Sequence, residues 1–170
     1  MKEFEQIYEE SFKRVYRYIY ALSGNHALAE DITQDTFLKA YEYLVINGVS
    51  FNNSWLYTVA RNKYISNIRK GKFLHKNTNE LEMDEILDAV IDLTDTPEEY
   101  VLKKEKSKKV IDTLMKLNES YKTALILREY NELSIDEISD IIGVKRTYGK
   151  QLMYKAREKF KKEYGGYYNE

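Results

Sequence analysis

Phe4, Tyr8, Phe12, Val15, Ile19 and Leu22 recur at steps of three or four residues, and the same step returns along much of the chain. That spacing is the stripe of an amphipathic helix, because residues three and four apart share one face at about 3.6 residues per turn. Gly24-Asn25 stops the first stripe, since glycine readily takes the left-handed conformation that closes a helix. Leu28, Ile32, Thr36, Ala40 and Leu44 form a second stripe, which ends near Asn47-Gly48. Val49 to Asn53 reads as a loop. Ser54 is placed to cap a third helix from Trp55 to Lys70, with Leu56, Val59, Ala60, Tyr64 and Ile68 facing inward. Seven glycines and one proline in 170 residues leave little punctuation for a many-turned β protein; the sixteen tyrosines could also suit strands, and the periodicity decides for helices. The expected fold class is all-α.

Several chemistries are excluded by what the chain lacks. Without cysteine it has no disulfide scaffold, thiolate zinc site, iron–sulfur cluster or cysteine nucleophile. His26 and His75 are its only histidines and lie far apart, so no histidine-based metal or catalytic site is expected. No apolar run approaches the ~20 residues needed to cross a bilayer. The start, Met1-Lys2-Glu3-Phe4-Glu5, is polar and acidic, unlike a signal peptide. The expectation is a cytoplasmic protein with no membrane insertion, cofactor, metal or catalytic residue.

Charge is segregated along the chain, although 27 Lys and Arg nearly balance 28 Asp and Glu. Between Tyr43 and Asn79 there is no acid, while Arg61, Lys63, Arg69, Lys70, Lys72 and Lys76 are basic. From Asn77 to Leu102 there is no Lys or Arg, and nine acids run from Glu80 to Glu99. Pro97, the only proline, lies in this acidic stretch and is suited to open the next helix; a helical turn is expected around Ile86 to Ile91. Between Lys145 and Lys162 eight basic residues face one acid, Glu158. Two positive patches beside aromatics, one on the last helix of each half, are the electrostatic footprint of nucleic-acid binding.

The second half contains a recognisable motif. A long helix runs through Val110, Ile111, Leu114 and Leu117, and another spans Tyr121 to Tyr130. Ser134 with Glu137 three residues on makes a capping box for a short helix packed through Ile135, Ile138, Ile141 and Ile142. Gly143 allows a tight turn, and a basic helix follows at once. This is the pattern of a helix-turn-helix, whose second helix enters the DNA major groove. With Met153, Ala156 and Phe160 facing the core, Arg146, Thr147, Lys150, Gln151 and Tyr154 form an exposed stripe. Arg bonds guanine and Gln bonds adenine bidentately, whereas Lys145, Lys155 and Arg157 are better placed for phosphates.

Ala29-Glu30-Asp31-Ile32-Thr33-Gln34-Asp35-Thr36-Phe37-Leu38-Lys39-Ala40-Tyr41 resembles the core-polymerase-binding segment of the sigma-70 family, and more specifically its extracytoplasmic-function (ECF) group. Ser54 to Lys63 with Ile68-Arg69-Lys70 is similar to the family's promoter −10 segment. The helix-turn-helix, with Leu127-Arg128-Glu129 ahead of it and Lys155-Ala156-Arg157 near its end, is similar to the −35-binding domain. The resemblance implies two small helical domains joined by an acidic linker. These are a sigma2-like three-helix domain at 1–72, a linker at 73–102, a sigma4-like domain at 103–165 and a tail at 166–170.

By the same resemblance, the chain binds core RNA polymerase through the β′ clamp helices and β flap and directs promoter-specific initiation by −35 and −10 recognition and −10 melting. Promoter DNA and a cognate anti-sigma factor are the other implied partners, and the phosphodiester chemistry belongs to the polymerase. Asp31, Gln34, Asp35 and Lys39 share one helix face and are the implied docking residues. Trp55, Tyr57, Arg61, Asn62, Lys63, Arg69 and Lys70 are the implied −10 residues: aromatic faces stack unpaired bases while cations follow the phosphates. Asn62 stands where the family holds a flipped-out base, with the Gly48 to Asn53 loop beside it.

The chain departs from the family at Ser66, where many relatives have Asp, and in the run Thr147 to Leu152. There Gly149 replaces an apolar core residue, an expected loss of roughly 1 kcal/mol of helix stability, and Leu152 replaces a basic residue often aimed at DNA. Three other readings compete. A stand-alone helix-turn-helix regulator leaves the first half without a use. A metal-dependent enzyme built on Glu30, Asp31 and Asp35 lacks a second acidic helix. A purely structural adaptor predicts no affinity for DNA.

Overall fold

A computed structural model describes residues 1–71 and 96–165, so the acidic stretch around Ile86 to Ile91, the basic Lys72 and Lys76, and the tail from 166 lie outside the described residues. The described residues form seven α-helices: α1 (Lys2–Ser23), α2 (His26–Tyr41), α3 (Asn53–Arg69), α4 (Pro97–Met115), α5 (Glu119–Glu129), α6 (Ile135–Ile142) and α7 (Arg146–Gly165).

In the first half, α1 buries Val15, Tyr18, Ile19 and Leu22 and closes at Gly24, whose φ of 61° allows its N–H to reach the Tyr20 carbonyl at 2.8 Å. Asn25 then caps α2 by accepting from the Leu28 N–H at 3.0 Å. The inner face of α2 carries Leu28, Ala29, Ile32 and Phe37, packed on α1 and α3. Thr33 and Thr36 are also fully buried there; their hydroxyls donate to Ala29 O and Ile32 O, so no hydroxyl is left unsatisfied. The run does not end as a simple α-helix. A single π-helical turn, Glu42–Ile46, follows α2 before Gly48.

The start of α3 differs from the expected cap. Asn52, not Ser54, accepts the Trp55 N–H, at 3.0 Å. Ser54 lies buried in the first turn and donates its hydroxyl to Asn52 Oδ1 at 2.8 Å, orienting the cap instead of forming it. Ile68, expected inside, is 38% exposed in the last turn of the helix.

In the second half, Thr96 and Glu99 form a reciprocal capping box with Pro97 in the first turn, so residues 97–102 of the expected linker are helical. Asn118 caps α5, and Ser134 with Glu137 caps α6 as the sequence predicts. Gly143 turns the chain at φ 82°. Helix α7 runs uninterrupted through Gly149, where α6 packs closely against it. A Cβ on Gly149 would meet the Ser139 Oγ at 1.9 Å, so the glycine is required by close helix packing. Leu152 is 4% exposed and belongs to the core with Met153 and Ala156, not to a DNA-facing surface.

The halves pack against each other. Helix α3 contacts α6, and α1 contacts α5. One buried apolar cluster runs through both halves, and polar contacts cross the seam as well: Arg61 meets Glu119, Tyr18 meets Thr123, Lys122 reaches the Leu22 carbonyl, and Asn131 reaches the Tyr57 hydroxyl.

Candidate nucleic-acid interface

The phase of α7 is set by Leu152, Met153 and Ala156 in the core and half-buried Phe160. Arg146, Thr147, Lys150, Gln151 and Tyr154 therefore point outward, and Lys145, Lys155 and Arg157 are exposed beside them. Tyr154 is 67% exposed, an unusual state for an aromatic without a partner surface. Arg146 lies 3.3 Å from Asp136 and 3.9 Å from Asp140 on α6. Arg157 donates to Glu129 at 3.1 Å. Both are solvent-facing pairs of small net stability.

On α3, Asn62, Arg69 and Lys70 are exposed. Trp55 is half-buried, its ring centroid 4.6 Å from Phe51 and 5.0 Å from Tyr43. Phe51 and Tyr43 were not among the residues singled out from the sequence; an aromatic at each end of a glycine-containing loop was the available signal. Lys63 donates to Asp35 on α2 at 3.0 Å, tying the expected −10 helix to the expected docking face.

Two of the seven expected −10 residues lie in the seam between the halves. Tyr57 is buried edge-on against Tyr18, and its hydroxyl accepts from Asn131 at 3.0 Å. Arg61 is 7% exposed. Its Nε and Nη2 donate to the two carboxylate oxygens of Glu119 at 2.9 and 2.7 Å, and Nη1 reaches Ile142 O at 3.4 Å. Glu119 also accepts from the Thr123 hydroxyl at 2.7 Å. No local pattern in the sequence announces Glu119 as a partner.

Burial in the seam moves titrations. Desolvation pushes the Lys122 ammonium below its ordinary value, although the Glu119 carboxylate opposes this. Desolvation pushes Tyr64 up to about 12, with the Glu119 charge adding to the rise. Burial raises Tyr18 further, despite its hydrogen bond with Thr123.

The expected docking residues Asp31, Gln34, Asp35 and Lys39 all lie on the exposed face of α2, with Gln34 donating to Glu30 at 3.3 Å. Leu38 stands among them at 60% exposure. Among the described residues no group of three or more His, Asp or Glu is arranged to hold a metal ion, and no helix is long and apolar enough to cross a membrane.

Comparison with known proteins agrees with this arrangement. Residues 7–73 match the family model Sigma-70 region 2, and residues 107–160 match Sigma-70, region 4. The chain is 31% identical over 159 residues to the RNA polymerase sigma factor YlaC of Bacillus subtilis, covering 93% of this chain and 90% of that protein. It is 30% identical over 161 residues to the ECF RNA polymerase sigma factor SigM of the same organism, covering 94% of each. A solved structure of the sigma factor RpoE in complex with the anti-sigma factor NepR from Bartonella quintana shares its fold, with a TM-score of 0.67, 21% identity and coverage of 96% of this chain and 97% of that one. With both regions matched in order and the helix-turn-helix on the page, the chain belongs to the ECF group of the sigma-70 family.

Proposed function

We propose that the chain is a promoter-recognition subunit that joins core RNA polymerase and directs initiation, with its −35 contacts on α7 and its −10 contacts on α3. The observation that carries this reading is the division of α7 into a buried Leu152–Met153–Ala156 face and an outward stripe of Arg146, Thr147, Lys150, Gln151 and Tyr154. That stripe begins one short turn after α6, at the N-terminal end of the second helix, where a helix-turn-helix reads base edges. Lys145, Lys155 and Arg157 flank it as phosphate contacts. Asn62, Lys63, Arg69 and Lys70, with Trp55 stacked beside the loop, serve the −10 strand, joined by Tyr57 and Arg61 once the seam parts. Asp31, Gln34, Asp35 and Lys39 dock on the polymerase β′ clamp helices, and the sigma4-like half meets the β flap.

Residues 1–72 and 103–165 act as the two promoter-binding units, with 73–102 connecting them. The chain performs no bond-making step of its own and works in the cytoplasm with the polymerase. An anti-sigma factor is the expected regulator, as the complex of the RpoE relative suggests. The deciding experiment is in vitro transcription with bacterial core polymerase on a library of promoter fragments. Start sites that appear only when the chain is added support the reading. Footprints on duplex DNA without polymerase, combined with no effect on transcription, would instead favour a stand-alone regulator.

A further inference from the structure

Between α1 and the α4–α5 pair lies a cleft of about 620 Å³ that promoter recognition leaves without a role. Small-molecule sites span roughly 300–1,000 Å³, so the volume suits a ligand of ordinary metabolite size. Its lining is divided by chemistry. Lys13, Arg14 and Arg17 stand at i, i+1 and i+4 on α1, which puts three cations on one rim. All three are exposed, and none is paired with a carboxylate among the described residues. The inner wall is apolar, with Leu114 of α4 and Ile126 of α5 buried in it. Charges of one sign beside a low-dielectric wall concentrate their field on an incoming anion.

Aromatic rings supply a second surface. Tyr16, Tyr20 and His26 line the cleft and stack on one another, with Tyr20 4.1 Å from His26 and 6.0 Å from Tyr16 between ring centroids. Tyr130, at the end of α5, adds a ring that is 59% exposed. The turn that follows completes the lining. Glu132 sits there at φ 56°, the one described residue other than glycine with a positive φ, in a helix-ending conformation that glycine usually takes. Ser107 of α4 lines the same space. Glu132 and Ser107 thus offer a hydrogen-bond acceptor and a donor in addition to the three cations.

An inorganic anion would use the cationic rim and leave the rings bare. A neutral apolar ligand would leave three cations unanswered. The ligand that satisfies the whole lining is planar and aromatic at one end, multiply anionic at the other, and carries hydroxyls between. We propose that the cleft binds a nucleotide, a nucleoside di- or triphosphate. Its phosphates lie on Lys13, Arg14 and Arg17, its base packs on the tyrosine rings, and its sugar hydroxyls donate to Glu132. Both kinds of contact have known strength: guanidinium matches phosphate oxygens in a planar fork, and aromatic rings stack any base.

Calorimetric titration of the full chain with magnesium-free ATP tests this, with adenosine and inorganic tripolyphosphate as the two halves of the ligand. ATP should saturate at one per chain, and each half should bind at least about tenfold more weakly, because each forfeits one class of contact. Arg14→Gln with Arg17→Gln should weaken ATP and tripolyphosphate by about tenfold or more and leave adenosine unchanged. Tyr130→Leu should weaken ATP and adenosine by about tenfold and leave tripolyphosphate unchanged. These positions are exposed, so folding is spared. Ser107→Glu, from the α4 wall, should also weaken ATP by adding a like charge.

Four outcomes overturn the site: no saturation by ATP at millimolar concentration, tripolyphosphate binding as tightly as ATP, ATP affinity unmoved by the α1 and Tyr130 variants, or an acidic peptide held at these residues where ATP is not. No DNA or polymerase enters the titrations, so the result stands apart from the promoter-recognition reading.

Discussion

Gly149 and Ser139 are in such close approach that the α6–α7 crossing leaves no room for a methyl group between them: a Cβ at 149 would sit 1.9 Å from Ser139 Oγ and 3.1 Å from its Cβ. The serine hydroxyl cannot easily swing away, because it donates to Ile135 O at 2.7 Å. Gly149→Ala should therefore destabilise the second half by about 1–3 kcal/mol through overpacking, although alanine is the better helix former. Ser139→Gly in the same chain should recover most of the loss. Denaturant melts of the two single variants and the double variant give the coupling, and additive effects would show that the helices do not press on each other here.

Stability should fall on the alkaline side of about pH 10. A phenol whose folded value is raised contributes fully below its unfolded value of about 10 and loses that contribution as pH climbs through the folded value. Tyr64, at about 12, sets the window between 10 and 12, and Tyr18 extends it upward. Tyr64 alone accounts for a loss on the order of 2–3 kcal/mol. Lys122 acts in the opposite sense: its lowered value is a penalty that fades as pH rises towards its ordinary value. Urea midpoints measured from pH 8 upward should show the decline, and Tyr64→Phe should flatten it.

Reversing the charge on α2 should cost polymerase affinity at little cost to folding. Asp31 and Asp35 are exposed, so Asp31→Lys with Asp35→Lys leaves the Leu28–Ile32–Phe37 core untouched. Loss of one partner from an interfacial charge pair is worth about 2–5 kcal/mol. Asp35→Lys also sets a like charge against Lys63. Titration of core polymerase with labelled protein reads the loss, with helicity by circular dichroism as the control; full affinity in the double variant removes the docking face.

Asn62→Ala should impair opening of the −10 region more than initial promoter binding. Asn62 is exposed, and its loss disturbs no hydrogen bond within the described residues. Holding one extruded base is worth roughly 1–3 kcal/mol. Permanganate reactivity of unpaired thymines should drop, and a pre-melted template should restore most of the activity.

On α7 the two kinds of contact should separate by sequence dependence. Gln151→Ala and Arg146→Ala should each cost about 1–3 kcal/mol at particular −35 positions and relax the preference there. Arg157→Ala should weaken binding to all sequences alike and lower the salt slope by about 1. Holoenzyme affinities across a panel of −35 variants at several salt concentrations distinguish them. A change of preference from Arg157→Ala alone would place the reading face further along the helix.

Helix ends proved the most legible part of the fold, because cap chemistry is local. Gly24, Gly143, Pro97 and the Ser134–Glu137 box all act within a few residues of the end they mark. The start of α3 shows the limit. Asn52 and Ser54 are both competent caps two residues apart, and the choice depends on a hydrogen bond between them. Leu152 was legible as apolar but not as core, since its burial depends on the path of α4 to α6 around it. Least legible was the seam. Arg61 and Glu119 are 58 residues apart, and a basic side chain on a basic helix carries no local mark of burial. The expected −10 residues were therefore read from α3 alone, without the partners that Glu119 and Asn131 supply to Arg61 and Tyr57.

The carbonyl oxygen of Leu22 receives the Tyr64 hydroxyl at 3.1 Å and the Lys122 ammonium at 3.2 Å. Three helices, α1, α3 and α5, thus converge on one peptide group, at the end of α1 where carbonyls lack intrahelical donors. A peptide oxygen is common to all amino acids, so no replacement of the residue-22 side chain removes it. This anchor is indifferent to drift in α1 and can be released only from the donor side. Where relatives diverge in sequence along the first helix, the mutual orientation of the two halves has a reference point that substitution does not erase.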